Sequence, residues 1–387
     1  MIMPIFQAIR DLFAHLLPKK VAHFILPKAD YAFLIHPLTF KDAEVKYGFA
    51  KYLPAKLINF WYAHYWPIIA APILGLRSEK NKSLKGYVIA VPLTPNQMFQ
   101  NIDLAKHRIL AGIKLAEKMG ASLIGLGGFT SILTHDGKDL LGKANIGITT
   151  GNSLSSLIAI KNLRQACKKT GLNLKTSNLV IVGAAGSVAS ACAKILVKQV
   201  KKLLIVDINK AENKKLYNEL IKIQSNAEVE LANTLDNLNQ YDCIITATSS
   251  FVPIVKSQHL KPGAIVVDAC QPKNIDLDVV HNREDVLVID SGVAEAEEVI
   301  CNLQMGLFKN EAYSCLGEVL LLAYRNYRDN FSIGKVNPDQ VEELSKYMDN
   351  SKIKLAKFRN TNGYISDEKI KLITKIITKQ NDNSKVL

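Results

Sequence analysis

The sequence predicts an α/β protein made of two successive α/β parts followed by C-terminal helices. Three observations predict it. The chain has 387 residues, more than one hydrophobic core usually organises. Short apolar runs alternate with helical stretches from residue 33 to residue 300. The runs LVIV at 179–182, LLIVD at 203–207, CIITA at 243–247, AIVVDA at 264–269 and VLVID at 286–290 are apolar enough for strands buried on both faces of a parallel sheet.

Composition narrows the class. A hydrophobic share of 48% and a charged share of 22% describe a chain that buries a core, which excludes disordered and collagen-like proteins. The net charge of +14 attracts anionic partners: nucleic acid, an anionic membrane face, or an acidic protein or phosphorylated substrate. No zinc-finger spacing or RNA-binding aromatic motif occurs, so nucleic acid is not expected. The eight histidines show no ligand spacing, and no metal is expected either. Cys167, Cys192, Cys243, Cys270, Cys301 and Cys315 lie in apolar segments without CxxC spacing, which fits reduced thiols and a cytoplasmic location.

The first residues lack the basic region and cleavage site of a signal peptide and read as a helix. Pro4 suits a first helical position, and Ile5, Ile9, Leu12, Phe13 and Leu16 share one face before Pro18, Lys19 and Lys20. Docking on the body of the protein is the expectation for that face, with membrane-surface contact as the alternative. Residues 57–76 carry no formal charge and hold Trp61, Tyr62, Tyr65 and Trp66. Asn59, His64, Pro67, Pro72 and the central placing of the aromatics predict a buried segment instead of a membrane span.

In the first part, FLIHP at 33–37, YVIAVPL at 87–93 and SLIGLGG at 122–128 predict strands. A helix is predicted over 103–119, with Asp103 as its cap, Ile109, Ile113 and Ala116 on one face, and Gly120 ending it. Residues 153–170 read as a helix ending near Gly171. The pattern turns helical after residue 300, and DEKIKLITKIITK at 367–379 predicts a basic amphipathic surface helix. The expected organisation is an N-terminal α/β substrate domain over 1–152, a second α/β domain over 153–300, and a helical region over 301–387.

Directly after the run at 179–182 stands Gly183-Ala184-Ala185-Gly186-Ser187-Val188-Ala189, which leads into a helical stretch. Glycines there let backbone bend sharply and approach a pyrophosphate, while first-turn N–H groups face that anion. Asp207 ends the next predicted strand, with Ile208 after it, where a carboxylate accepts from the adenosine ribose. Thr246, Ala247, Thr248 and Gly292 follow later strands and are expected along the same crevice. The second domain therefore reads as a doubly wound Rossmann domain binding NAD(H) or NADP(H). Asp207 would repel a ribose 2′-phosphate and favours NAD, an effect that nearby Lys210 softens.

Cys315 is the candidate nucleophile. It sits in EAYSCLGEVLLLAY near the start of a predicted helix, where the dipole lowers a thiol pKa, and Ser314 and Gly317 leave room for a substrate. Glu318 opposes thiolate formation if it lies close, and spacing alone favours a packed structural cysteine over a nucleophile.

Six blocks in order, LGGFTSI at 126–132, ITTGN at 148–152, VGAAGSVAS at 182–190, VDACQPKNI at 267–275, SGVAE at 291–295 and YSCLGEVLLLAYRNYRDNFSIGK at 313–335, resemble the long-chain acyl-[acyl-carrier-protein] reductases. The resemblance spans residues from about 105 to about 340. It implies reduction of a fatty acyl thioester, on acyl carrier protein or coenzyme A, to a fatty aldehyde through an acyl-enzyme on Cys315. It places the substrate loops at Gly127, Gly128, Phe129, Thr130 and Ser131 and at Thr149, Thr150, Gly151 and Asn152. Ala189 stands where cyanobacterial members usually carry glycine, and Asp207 departs from their NADPH pattern.

Backbone N–H groups or the hydroxyls of Thr130 and Ser131 are expected to hold the oxyanion, and His135 is an available but isolated proton donor. The alternative is a shikimate-type or amino-acid-type dehydrogenase acting on a polar molecule, with Lys143 standing in weakly for its usual lysine. A third reading is a dinucleotide-binding or membrane-adhering module without catalysis. A cytoplasmic protein, peripheral to the membrane in the second of the two placements considered, fits all of them.

Overall fold

The structure is a computed structural model and describes residues 2–301, 303 and 306–383. The chain divides into two compact units. One comprises Met1–Gly151, Ala296–Gly334 and Lys346–Lys354, and the other Asn152–Glu295, Lys335–Ser345 and Leu355–Leu387. The region after residue 300 is thus shared between the two units and forms no third body.

The first unit is built on a sheet of β1 (Tyr31–Ile35), β2 (Ile68–Leu74), β3 (Gly86–Ala90), β4 (Leu123–Leu126), β5 (Gly147–Thr149) and the short strand Ile300–Cys301. Their order is Ile300–Cys301, β2, β3, β1, β4, β5. β3, β1, β4 and β5 run parallel, with Tyr31 opposite both Gly86 and Leu123, whereas β2 is antiparallel to β3. The apolar stretch over 57–76 splits at Tyr65 and Pro67 into helix α3 (Ala55–His64) and strand β2; the strand is largely buried, whereas α3 buries only Ile58 and Tyr62 and leaves Leu57 and Phe60 exposed, so the expectation of a buried segment holds for its second half alone. Among the described residues no helix is long and apolar enough to cross a membrane.

Helix α4 (Ile102–Met119) is capped by Asn101, two residues before the expected cap Asp103. The Asn101 side chain accepts from the Leu104 N–H at 3.0 Å, and Asp103 lies inside the first turn, where its charge suits the helix dipole. Gly120 ends the helix in the left-handed region, as its position suggested.

Helices α1 (Ile2–Leu16) and α2 (Lys19–Ile25) carry their bulky apolar stripe outward, against the docking expectation. Ala8, Asp11 and Ala14 face inward instead. Small residues let α1 lie close to β2, and the buried Asp11 carboxylate accepts from the Ile69 N–H at 2.8 Å and from Arg10 at 2.7 Å. The Lys118 ammonium donates to the Ala14, His15 and Leu17 carbonyls at 2.8, 3.0 and 2.9 Å, satisfying acceptors at the end of α1. Polar contacts fix this helix and leave the large side chains outside.

The second unit holds six parallel strands, β6 (Asn178–Val182), β7 (Lys202–Val206), β8 (Glu228–Ala232), β9 (Cys243–Thr246), β10 (Ile265–Asp268) and β11 (Leu287–Asp290). Their order, β11-β10-β9-β6-β7-β8, reverses direction between β6 and β9 and is that of a doubly wound Rossmann sheet. The five apolar runs are strands. β8 is an edge strand, half-buried with alternating glutamates, and its mixed pattern hid it from the sequence. Helix α5 (Asn152–Thr170) and the helix Asp367–Asn383 pack together, the latter burying Ile370, Ile373 and Ile377 while Lys371, Lys375 and Lys379 face out and the half-buried Lys369 donates to the Arg283 carbonyl at 3.1 Å.

Candidate functional sites

Cys315 is the second residue of the helix Ser314–Tyr324, which packs on β4 and β1 of the first unit. The residue is half-buried. Burial pushes its thiol up to about 11; the Leu316 and Cys315 N–H groups pull the other way, Glu318 adds to the rise, and the Gly128 N–H facing the sulfur lowers it. Desolvation outweighs the helix dipole, so the free thiol is protonated at neutral pH.

Both loops expected at the substrate site meet this cysteine. A β-carbon on Gly151 would stand 2.3 Å from the Cys315 Cα, and Gly151 itself has φ +82°. Glu318, one turn beyond Cys315 and fully buried, accepts from the Gly151 N–H at 3.1 Å and from the Thr149 hydroxyl. Thr150 donates to the Ser332 carbonyl at 2.6 Å. The first loop approaches through Gly128, which is exposed between buried Gly127 and Phe129. Asn152 begins α5 and belongs to the second unit.

His36 was read only as the end of a strand, yet it shapes this loop. Its Nε2 accepts from the Phe129 N–H at 3.2 Å, and its Nδ1 lies 3.0 Å from the Pro37 carbonyl, which assigns a proton to Nδ1. Burial lowers its pKa, so it is neutral. With both nitrogens engaged it acts as a clamp on the Gly128–Phe129 turn. Its place just past the carboxyl end of a parallel strand was the signal that could have found it.

The hydroxyls expected at an oxyanion are occupied. Thr130 donates to the Gly127 carbonyl at 2.8 Å and Ser131 to Asp136 at 3.3 Å. Backbone N–H groups of Gly128 and Leu316 are left as the donors next to the sulfur. His135 is exposed and pairs with Asp139 at 2.9 Å, and Lys143 is exposed in a loop.

In the second unit, the turn after β6 carries Gly183 at φ +80°, where a β-carbon would lie 2.5 Å from the Ala247 carbonyl oxygen. The turns after β6 and β9 therefore touch at the point where the sheet order reverses. Gly183 and Ala184 donate to the Val206 carbonyl. Helix α6 (Ser187–Leu196) starts from Gly186, which offers no side-chain oxygen to its first-turn N–H groups, Val188 among them. The Ser187 hydroxyl accepts from the Val336 N–H at 3.1 Å.

Asp207 faces the turn. Its carboxylate accepts from the Ala185 N–H at 2.9 Å and the Asn209 N–H at 2.8 Å, and Ile208 beside it is 92% exposed. Thr246 donates to buried Asp268 at 2.8 Å, Thr248 bonds Asn274, and Gly292 borders open space. Burial raises the pKa of Asp290 at the end of β11, an effect opposed by Lys273 at 3.4 Å. The uncapped helix start, the bare glycine turn and the adjoining carboxylate fit the pyrophosphate and ribose of a dinucleotide.

Sheet order and turn together define a Rossmann-type unit of the kind found in NAD(P)-dependent oxidoreductases. Comparison agrees at that level: the shikimate/quinate 5-dehydrogenase family matches residues 164–291. The chain is 27% identical over 267 residues to the aminotransferase PigE of a Serratia strain, covering 67% of this chain but only 31% of that protein. It is 24% identical over 323 residues to the long-chain acyl-[acyl-carrier-protein] reductase of Synechococcus elongatus, covering 79% of this chain and 90% of that enzyme. Among solved structures, the L-tryptophan dehydrogenase of Nostoc punctiforme aligns over 93% of this chain and 90% of its own at 11% identity and a TM-score of 0.42.

Proposed function

We propose that this chain reduces a long-chain fatty acyl thioester, held on acyl carrier protein or coenzyme A, to a fatty aldehyde through an acyl-enzyme on Cys315. The observation that carries the reading is the thiol enclosed by the Gly151 and Gly128 loops, with an exposed glycine beside it. The likeness to the Synechococcus elongatus enzyme over most of both chains supports it.

Cys315 attacks the thioester carbonyl; the carbon–sulfur bond to the carrier breaks as the new one forms, and the thiol proton passes to the departing carrier sulfur. N–H groups of Gly128 and Leu316 hold the carbonyl oxygen while it bears charge. Bound NADH or NADPH supplies a hydride. The resulting thiohemiacetal on Cys315 collapses to the aldehyde and the free thiol, so that thioester, reduced coenzyme and one proton yield aldehyde, oxidised coenzyme and carrier thiol. Gly183 to Val188 would hold the pyrophosphate, Asp207 the ribose hydroxyls, and Thr246, Ala247, Thr248 and Gly292 the crevice. The Asp207 charge disfavours a 2′-phosphate and so favours NADH, an effect that Lys210 softens. The net charge of +14 would speed capture of an acidic carrier protein or of coenzyme A phosphates alike.

A second reading has its own support. The shikimate/quinate match is confined to residues 164–291, in the unit that lacks Cys315, and such a unit serves dehydrogenases of polar substrates with no covalent step. Intact mass after incubation with palmitoyl-coenzyme A or palmitoyl-acyl carrier protein separates the two. The reductase reading expects a palmitoyl adduct on the wild type, none on Cys315→Ala, and coenzyme oxidation only in the former. Absence of both adduct and coenzyme oxidation overturns it. Coenzyme reduction by polar hydroxy acids, undiminished in Cys315→Ala, establishes the dehydrogenase instead.

A further inference from the structure

We propose that the outward face of α1 and α2 binds the surface of an anionic lipid bilayer. Ile5, Phe6, Ile9, Leu12, Phe13 and Leu16 are all exposed along one helix, Phe6 at 65% and Leu16 at 74%. Phe24 on α2 is 88% exposed, flanked by exposed Val21 and Ile25. A helix that serves only its own core turns its large apolar residues inward. Here the inward positions are Ala8, Asp11, Ala14 and Ala22, so the stripe is surplus to folding and continuous over two helices.

Charge identifies the occupant. Over residues 2–29 the exposed charged side chains are Lys19, Lys20 and Lys28. The single carboxylate in that stretch, Asp11, is buried and taken by Arg10 and the Ile69 N–H. An apolar stripe bordered by ammonium groups matches acyl chains beneath phosphate headgroups. Two copies pairing by this face would set lysine clusters side by side in a symmetric contact, which opposes self-association. Fifteen residues span about 22 Å, too short to cross a bilayer and sufficient to lie in its interface. Lipid binding of this kind holds whatever chemistry Cys315 performs.

Vesicle flotation with the full chain tests it, using phosphatidylcholine vesicles with and without about 30% phosphatidylglycerol. The wild type is expected to float with the anionic vesicles at least about tenfold better than with the neutral ones. Phe13→Glu/Leu16→Glu should lower flotation on anionic vesicles by about tenfold or more with an unchanged circular-dichroism melt, since both side chains are exposed. Lys19→Glu/Lys20→Glu should bring it to the neutral-vesicle level even if the first variant folds poorly. A wild type that stays unbound to anionic vesicles overturns the proposal, as does either folded variant floating like the wild type. A lipid-free dimer that Phe13→Glu/Leu16→Glu dissociates, with no flotation, assigns the face to a second copy instead.

Discussion

Gly151 and Cys315 are in direct backbone contact: a side chain on the glycine would begin 2.4 Å from the Cys315 Cβ, closer than two carbons can stand. Glu318 holds this contact by accepting the Gly151 N–H, so the helix carrying the thiol and the loop after β5 are one rigid piece.

Replacing Gly151 by alanine should therefore damage stability and site together. The left-handed φ of +82° and the collision with backbone predict a loss of about 2–4 kcal/mol, read from the midpoint and slope of urea unfolding. An unchanged midpoint would show that the helix start yields easily.

The thiol should titrate late. Because Cys315 is pushed up to about 11, its alkylation by iodoacetamide should rise about tenfold per pH unit from about pH 7 to about pH 10. Mass spectrometry against Cys315→Ser isolates the site. Glu318 disfavours the thiolate through its negative charge, so Glu318→Gln should shift the curve to lower pH. A rate already flat by about pH 8 contradicts the dominance of burial.

If Asp207 holds the ribose as proposed, Asp207→Ala should raise the KM for NADH more than that for NADPH, because it would remove both a ribose acceptor and a charge that repels a 2′-phosphate. It also releases the Ala185 N–H, so kcat measured at saturating coenzyme distinguishes lost binding from a distorted turn. The opposite order of KM changes would reverse the ribose assignment.

Much of the Rossmann unit was readable because its evidence is local. LVIV, LLIVD, CIITA, AIVVDA and VLVID are buried on both faces and keep no polar alternation, and the glycine turn gains its meaning from the strand before it and Asp207 after the next one. EVELA was unreadable for the converse reason, since an edge strand exposes one side and mixes glutamate with apolar residues. Cys315 was legible as a candidate, and the loops of Gly128 and Gly151 that meet it were expected from the resemblance. His36, far from it in the chain, was not, and the hydroxyls of Thr130 and Ser131 proved to be spent on their own loop.

What the amino-acid order by itself determined was periodicity: strand runs, the apolar stripe of α1, the glycine turn with Asp207 after it. Only the tertiary structure decided direction and company. The stripe of α1 faces out because Asp11 and two alanines make the inward contacts, and the thiol is protonated because packing removes water from it. Spacing along a chain records which residues share a face, whereas solvation and partners depend on segments brought together from elsewhere in the chain.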